Sequence, residues 1–151
     1  MKFIEYNYDN KVQYSDFIRK YNKSKCLSSL NIQTFCEGKK IFLMVDKGLV
    51  KKYKIIGYVI VYEKIKTICM VNEVSENYED NSNVVFISDF MIDYIYRKKG
   101  LGKFLAKYII DEVYRKRNII LQTDGDGNWF WKKFGFKPDE ISKKLTLILK
   151  R

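Results

Sequence analysis

The chain has 151 residues, 46% of them hydrophobic, which is long and apolar enough for one buried core and excludes a disordered chain. Its 29 lysines and arginines against 18 acidic residues give a net charge of +11, which favours anionic partners such as a phosphate-bearing cofactor, nucleic acid or an anionic membrane surface. The alternative is a compositional bias toward lysine, which we prefer for most of the surface because the lysines are scattered, with the cluster at 97–103 as the exception. Histidine is absent, which excludes Ser-His and Cys-His nucleophiles and the common zinc sites.

Apolar runs and cysteines indicate the compartment. No apolar run reaches the roughly eighteen residues of a membrane-spanning helix, and the first residues do not resemble a signal peptide, so we expect a cytoplasmic protein without a membrane partner. Cys26, Cys36 and Cys69 are odd in number and lack metal-ligand spacing, so free thiols and no metal are expected. No linker or repeat divides the sequence, which predicts a single domain over 1–151.

The N-terminal third is predicted to mix strands with helices. Residues 3–8 alternate in polarity, which predicts a first strand, and a helix follows over about 11–23. A second, short helix is predicted near 26–36, and residues 40–45 have the pattern of a strand.

The middle of the chain has the clearest strand pattern. Ile55–Glu63 is rich in β-branched and aromatic residues, which predicts a strand. Residues 65–74 are expected to extend the sheet as a further hairpin arm, and the polar stretch 77–83 is typical of a loop. The apolar run 84–93 predicts the central strand.

A basic glycine turn and a helix follow that strand. Apolar residues recur at helical spacing from Leu101, which predicts a helix over 100–117. The first turn of a helix has unpaired N–H groups and partial positive charge, and Gly100 and Gly102 allow a ligand to approach the backbone. Four cations surround the turn, namely Arg97, Lys98, Lys99 and Lys103. The segment therefore predicts an anion site suited to a phosphate or pyrophosphate.

Two common phosphate motifs do not match this turn. No G-x-x-x-x-G-K-[ST] run exists, which excludes a Walker loop, and Leu105 stands where a dinucleotide fingerprint needs its third glycine. The pattern that matches is R-x-x-G-x-G between a strand and a helix.

The C-terminal region is predicted to complete a parallel β-α-β unit. Residues 119–123 form a short apolar strand after the helix. Residues 124–128 begin like a calcium loop, but Trp129 and Gly135 occupy the positions that require glycine and glutamate. We therefore predict a tight turn, a helix at about 128–134 and a last strand at 145–149.

Three segments together resemble the GNAT superfamily of acyl-CoA-dependent N-acyltransferases. The turn Arg97–Gly102 resembles the loop that holds the pyrophosphate of coenzyme A in that family, and Ser88–Ile92 resembles its acidic and apolar strand ending. Asn128 followed by Trp131–Phe136 is similar to its second motif, asparagine and then Y-x-K-x-G-F. The resemblance covers roughly residues 53–137.

The resemblance implies an α/β (α+β) fold with a mixed, centrally splayed β-sheet flanked by helices. It implies acetyl-CoA as co-substrate, an amine as acceptor, and an acceptor pocket built partly by the N-terminal helices. Pantetheine would pair with the main chain of the central strand, and Asn128 would hydrogen-bond it. The implied cofactor-binding residues are Phe90, Met91, Ile92, Arg97, Lys98, Lys99, Gly100, Leu101, Gly102, Lys103, Asn128 and Trp131.

The catalytic groups implied by the resemblance depart from the family. Relatives often carry a glutamate where Ser88 stands, or a carboxylate where Phe86 stands, and neither residue here accepts a proton well. Asp89 matches a common acidic position, but strand alternation turns it away from Ser88 unless a bulge intervenes. Asp89 is then a base, a binding group for a cationic acceptor, or a loop anchor, and a water relay is another route for the proton. The usual tyrosine acid corresponds to Trp131, whose indole donates a hydrogen bond without releasing its proton, or simply packs on its helix.

Two other functions compete with the enzyme. A catalytically silent relative would bind acyl-CoA only. A nucleic-acid-binding module would use the positive charge and the 12 tyrosines and 10 phenylalanines, and Lys99–Gly102 partly matches the RNA-recognition strand K-G-[FY]-G, but Leu101 replaces the stacking aromatic. We rank nucleic acid well behind acetyl-CoA and an amine as partner, and the sequence leaves a homodimer open.

Overall fold

The computed structural model describes residues 1–6, 32–47, 53–70, 73–74, 83–123, 125–138 and 146–151. The strands are β1 (Lys2–Glu5), β2 (Ile32–Lys47), β3 (Tyr53–Met70), β4 (Glu73–Val74), β5 (Val84–Ile92), β6 (Asn118–Gln122), β7 (Lys137–Pro138) and β8 (Thr146–Leu149). The helices are α1 (Leu101–Lys107), which continues as π-helical turns over Tyr108–Val113, and α2 (Gly125–Lys132), with a 3₁₀ turn at Tyr94–Tyr96.

The described strands form one mixed sheet of eight in the order β1-β2-β3-β5-β6-β8-β7, with β4 paired to β3. β5 and β6 run parallel, whereas the other neighbours pair antiparallel. The parallel pair is joined by α1, which is the crossover connection that parallel strands need. The predicted α+β fold with a mixed sheet is confirmed.

The long hairpin of β2 and β3 corrects the prediction for the first half. The helix predicted near 26–36 is wrong for residues 32–36, which belong to β2 and pair with β3 from Ile32 opposite Met70. The strand residues predicted at 65–74 do extend the sheet, but not as an arm of their own, because 65–70 continue β3 and 73–74 fold back on it. Both segments are strands because residues 32–36 pair with residues 65–70, and local sequence patterns do not reveal pairing between such distant segments. The helix predicted over 11–23 lies outside the described residues.

The helices begin close to their predicted positions and end elsewhere. α1 starts at Leu101, one residue after the predicted start at residue 100, but helical structure ends at Val113, so the predicted bound at residue 117 is wrong. The N–H of Tyr114 donates to the carbonyl of Ile109 at 3.0 Å, which is the π-helical spacing that closes the last turn. α2 starts at Gly125, so the tight turn predicted over 124–128 is wrong from that residue onward.

The core lies on both faces of the sheet. On one face, apolar side chains of β3, β5 and β6 pack against α1 and α2, with Val59, Ile87, Leu105, Ile109 and Ile119 among the fully or nearly fully buried residues. The other face carries a second buried cluster, which includes Leu43, Tyr58 and Ile60. These clusters provide the hydrophobic stabilisation that holds β5 in the middle of the sheet.

A polar network fixes the beginning of β5 at the end of the helix. The Tyr114 hydroxyl donates to Glu63 Oε1 at 3.0 Å, and Lys40 Nζ lies 3.4 Å from the same carboxylate oxygen. Arg117 donates to the carbonyl oxygens of Glu63 and Val84, which joins the turn after the helix to β3 and β5. Burial, and then the hydrogen bond to Glu63, raise the pKa of the Tyr114 phenol, which therefore stays protonated and acts as the donor.

Candidate active site

The two parallel strands separate half-way along β5. β6 pairs with β5 only from Val84 to Ile87, whereas β3 pairs with β5 as far as Ile92. In the described part of the chain, the β6-facing side of β5 therefore has no strand partner from Ser88 onward. Main-chain donors and acceptors at a strand edge can pair with an added extended ligand. This opening is the central splay that the sequence predicts.

A β-bulge at Ser88 lies at the start of this opening. Ile60 is opposite Asp89 and Val61 is opposite Ile87, so Ser88 is the extra residue in β5. Ser88 Oγ donates to Asp89 Oδ2 at 3.1 Å, and the carbonyl oxygen of Ile60 lies 3.4 Å from the same hydroxyl. The bulge thus replaces the strict alternation that would point Ser88 and Asp89 to opposite faces.

The bulge determines the face of the sheet on which each of the next three side chains lies. Phe90 and Ile92 face the core cluster under α1 and α2, as Ile87 does before the bulge. Met91 packs with the second cluster on the opposite face, and Asp89, two residues before it, shares that face. The carboxylate of Asp89 therefore lies across the strand from the helices.

The chain then makes the predicted basic turn. Asp93 is 7% exposed, and its carboxylate accepts the N–H of Ile95 at 3.4 Å, which supports a structural role in capping the 3₁₀ turn. Lys98 and Gly100 adopt positive φ angles of 62° and 76°, and a Cβ built on Gly100 meets nothing within 4 Å. The turn is open to a ligand on this side.

The main chain at the start of α1 has the donors that an anion needs. The carbonyl of Gly100 accepts the N–H groups of Lys103 at 3.0 Å and Phe104 at 3.3 Å, which begins the helix. Within the described ranges, the N–H groups of Gly100, Leu101 and Gly102 donate to no backbone carbonyl. Because Leu101 begins a helix, the segment does not form the strand that an RNA-recognition motif requires.

The basic side chains divide into two groups. Arg97 Nε donates to the carbonyl of Ile92 at 2.9 Å, and Nη2 lies 3.1 Å from the sulfur of Met91, so this guanidinium ties the turn to the end of β5. The other three predicted cations, Lys98, Lys99 and Lys103, are exposed. They remain available to an anion at the turn.

A fourth lysine near the turn was not predicted. The ammonium groups of Lys54 and Lys99 lie 5.2 Å and 5.6 Å from the centroid of the Tyr96 ring. Tyr96 raises the pKa of Lys54, chiefly through a side-chain hydrogen bond. Lys54 is on β3, more than forty residues before the turn, and no local sequence signal connects it with Tyr96.

The side chains of α2 that face β5 are aromatic. The rings of Trp131 and Phe130 lie 5.0 Å and 5.6 Å from the Phe90 ring, between centroids. Trp131 is 6% exposed and also packs against Phe134 and Phe136. Trp131 therefore packs in the core, as one of its two expected roles requires. Phe130 also lines this wall, which the sequence motif did not indicate.

Asn128 presents an unsatisfied acceptor. Its Oδ1 atom is buried and has no hydrogen-bond partner among the described residues. A buried acceptor without a donor costs about 1–3 kcal/mol, so a ligand N–H at this position would offset that cost. α2 thus contributes one polar group beside an otherwise apolar wall.

The described part of the chain shows neither a metal-binding group nor a membrane-spanning helix. There, no three cysteine or acidic side chains are grouped closely enough to hold a metal ion. In the same residues, no helix has the length and apolar character needed to cross a bilayer.

Comparisons with known proteins point to one family. The profile of the Acetyltransferase (GNAT) family matches residues 13–136. A GNAT-family acetyltransferase from Staphylococcus aureus Mu50 superposes with a TM-score of 0.60 and 17% identity, covering 97% of this chain and 96% of that one. A search of curated proteins found no match.

Two further solved structures share the fold. A Bacillus halodurans protein superposes with a TM-score of 0.57 and 15% identity over 96% of this chain and 99% of its own. AtaTR bound with acetyl-CoA superposes with a TM-score of 0.55 and 14% identity, covering 74% of this chain and 66% of the AtaTR chain.

Proposed function

Because this chain belongs to the GNAT family of acetyltransferases, we propose that it is an N-acetyltransferase that transfers the acetyl group of acetyl-CoA to a primary amine. One observation carries the proposal: β6 stops pairing with β5 after Ile87, and the side of β5 that β6 leaves open leads directly into the open glycine turn at the start of α1. An extended acyl-pantetheine with a diphosphate needs both features in that order, namely main-chain partners and then an anion site.

Different residues are proposed to bind each part of acetyl-CoA. The main chain of Phe90, Met91 and Ile92 pairs with pantetheine on the side of β5 that β6 leaves open, apart from the Ile92 carbonyl, which accepts from Arg97. The amides from Gly100 to Gly102, with the nearby lysines, bind the diphosphate, and Arg97 holds the turn against the end of β5. The unsatisfied Oδ1 of Asn128 accepts a hydrogen bond from a pantetheine amide.

The chemistry follows from direct attack in a ternary complex. The amine must lose a proton before or during attack on the thioester carbon, and Asp89 is the carboxylate beside the opening that accepts it. Ser88 Oγ donates to Asp89 Oδ2 and so fixes the orientation of that carboxylate. Collapse of the tetrahedral intermediate forms the amide and releases the thiolate of coenzyme A.

Trp131 does not protonate the leaving thiolate. Trp131 occupies the position of the usual tyrosine, and an indole keeps its proton at neutral pH. In this site its ring packs on Phe90 and shapes the wall beside the opening. Coenzyme A thiolate is a tolerable leaving group, so protonation by solvent after departure completes the reaction.

Binding of acetyl-CoA to a Gly100→Glu variant tests the proposal. The new carboxylate places negative charge where the diphosphate binds, so calorimetry is expected to show loss of saturable binding. Gly100→Asn is the matched control, because asparagine tolerates the positive φ of 76° better than other residues and adds no charge. Equal binding by wild type and the glutamate variant, with unchanged folding, would contradict the proposed site.

The packing of Trp131 favours one alternative, a silent relative that binds acyl-CoA without transferring the acyl group. The Trp131 side chain is buried among phenylalanines and is not an acid. A silent relative would only sequester or sense the thioester. Thiol release from acetyl-CoA, followed across a panel of small amines and peptides, distinguishes the two functions. Tight binding with no amine-dependent thiol release would identify the silent relative.

A further inference from the structure

The contact between β3 and the basic turn lies outside both sequence motifs. The N–H of Asp93 donates to the carbonyl of Ile56 at 2.8 Å, which holds the start of β3 beside the end of β5. Lys54 is two residues before Ile56 on β3, and Tyr96 is three residues after Asp93. This bond therefore brings Lys54 to the 3₁₀ turn that precedes the glycines.

Tyr96 brings two positive charges to the same place. Its ring has the Lys54 ammonium 5.2 Å and the Lys99 ammonium 5.6 Å from its centroid, within the range of a cation–π interaction. Lys99 is the residue immediately before Gly100. The arrangement of Lys54, Tyr96 and Lys99, here called the lysine clamp, thus reaches from β3 to the first residue of the anion site.

Two acidic groups act on Lys54, namely Asp93 and the cross-strand neighbour Asp46, but each also has a partner elsewhere. Asp93 is buried and caps the N–H of Ile95. Asp46, on β2, lies 3.6 Å from the N-terminal ammonium of Met1. Two ammonium groups on one ring repel each other, so an anion between the clamp and the glycine turn would relieve that repulsion.

We propose that Lys54 is a further phosphate-binding residue of this site and that Tyr96 is the positioning residue that holds Lys54 and Lys99 toward the phosphate. The inference rests on the proposed function, because the phosphate belongs to the nucleotide part of coenzyme A. Two groups of that molecule supply the same chemistry, the diphosphate and the 3′-phosphate. Lys54 extends the anion site to a strand that neither motif includes.

Ligand dissection with matched variants tests the proposal. We would measure dissociation constants of coenzyme A, dephospho-coenzyme A and pantetheine for wild type and Lys54→Met, which keeps the apolar stem and removes the charge. The expected result is about fivefold weaker binding of coenzyme A, the scale of one exposed charge interaction, with unchanged binding of pantetheine. Lys64→Met, an exposed lysine on the same strand, is the control and should bind all three ligands as wild type does.

The ligand series separates the two phosphate sources. Weaker binding of both coenzyme A and dephospho-coenzyme A places Lys54 at the diphosphate, whereas weaker binding of coenzyme A alone places it at the 3′-phosphate. An equal loss for pantetheine, or no loss for any ligand, would overturn the inference. Failure of wild type to bind coenzyme A would instead refute the proposed function, so the two failures are distinguishable.

Variants of Tyr96 test the positioning role. Tyr96→Leu removes the ring that holds both lysines and is expected to weaken coenzyme A binding at least as much as Lys54→Met, and the double variant should be no weaker than Tyr96→Leu alone. Tyr96→Phe keeps the ring face but removes the hydroxyl that hydrogen-bonds Lys54, so its affinity should lie between those of wild type and Tyr96→Leu. Additive losses in the double variant would show that the tyrosine does not act through Lys54.

Discussion

At the scale of single residues, Ser88 decides which side chains meet at the opening. With strict alternation, Asp89 would share the face of Val85 and Ile87, which are 0% and 3% exposed against the helices. A carboxylate there would be buried in an apolar core without a partner, at a cost of several kcal/mol. The extra residue moves Asp89 to the other face and leaves the aromatic Phe90 to fill the core position.

The role of Asp89 is tested by Asp89→Asn, which keeps the shape and removes the base. We expect kcat to fall by about 10²- to 10⁴-fold, the usual contribution of a positioned base, with unchanged affinity for coenzyme A. Steady-state kinetics with a reactive amine and calorimetry measure the two quantities. Ser88→Ala should cost less, because it removes only an orienting hydrogen bond.

Asp111→Asn is the control for this prediction, since Asp111 is an exposed acid on the helix that follows the turn. Its activity should match wild type. Full activity of the Asp89→Asn variant would show that a water relay or another group takes the proton.

At the scale of elements, the close pairing of β3 with the end of β5 depends on Gly57. A Cβ at this position would lie 2.6 Å from both the Ile92 Cδ1 atom and the carbonyl oxygen of Met91. Because one of these atoms belongs to the backbone, the strands would have to separate to admit a methyl group. Met91 and Ile92 also lie where β6 leaves one side of β5 open, so packing against β3 affects the geometry of that open side.

Gly57→Ala is therefore expected to destabilise the protein by about 1–3 kcal/mol through overpacking. For a chain of this size, that corresponds to a fall in Tm of roughly 2–12 °C. Thermal unfolding followed by circular dichroism measures the change. Coenzyme A binding should weaken as well, because Met91 and Ile92 move.

Gly102→Ala is the matched control, since its Cβ would lie 3.7 Å from Ile92 and Phe130 atoms, an ordinary contact. Alanine has the better helix propensity, so Tm should be unchanged or higher. A Gly57→Ala protein as stable as wild type would mean that the strands separate at no cost.

At the scale of the whole molecule, the charge is concentrated at the candidate site. Residues 94–110 contain five cations, Arg97, Lys98, Lys99, Lys103 and Lys107, and no acidic residue. Coenzyme A is a multiply charged anion, so the net charge of +11 and this local cluster should speed its approach. Under the proposed function, this positive charge would assist the association of coenzyme A with the site.

Salt dependence tests this interpretation. Raising ionic strength from about 0.01 M to about 0.15 M shortens the screening length from about 30 Å to about 8 Å, so the association rate of coenzyme A should fall several-fold. Stopped-flow measurements give the rate, and uncharged pantetheine is the control ligand. An association rate that is independent of salt would show that steering contributes nothing.

Features that depend on neighbouring residues could be predicted from the sequence. Helical spacing from Leu101 and the glycines at 100 and 102 predicted the turn and the start of α1, because periodicity and backbone freedom are local properties. The resemblance carried by Arg97–Gly102 added the splayed mixed sheet, which no single element specifies.

Features that depend on the register between distant segments appear only in the folded chain. The bulge at Ser88 exists because β5 pairs with β3 out of step by one residue, and the clamp exists because the same pairing brings Lys54 to Tyr96. Likewise, the burial of Trp131 and the unsatisfied oxygen of Asn128 follow from how α2 packs on β5. Such contacts join residues about thirty to forty positions apart, and their geometry is set by the packing of the whole sheet rather than by any local pattern.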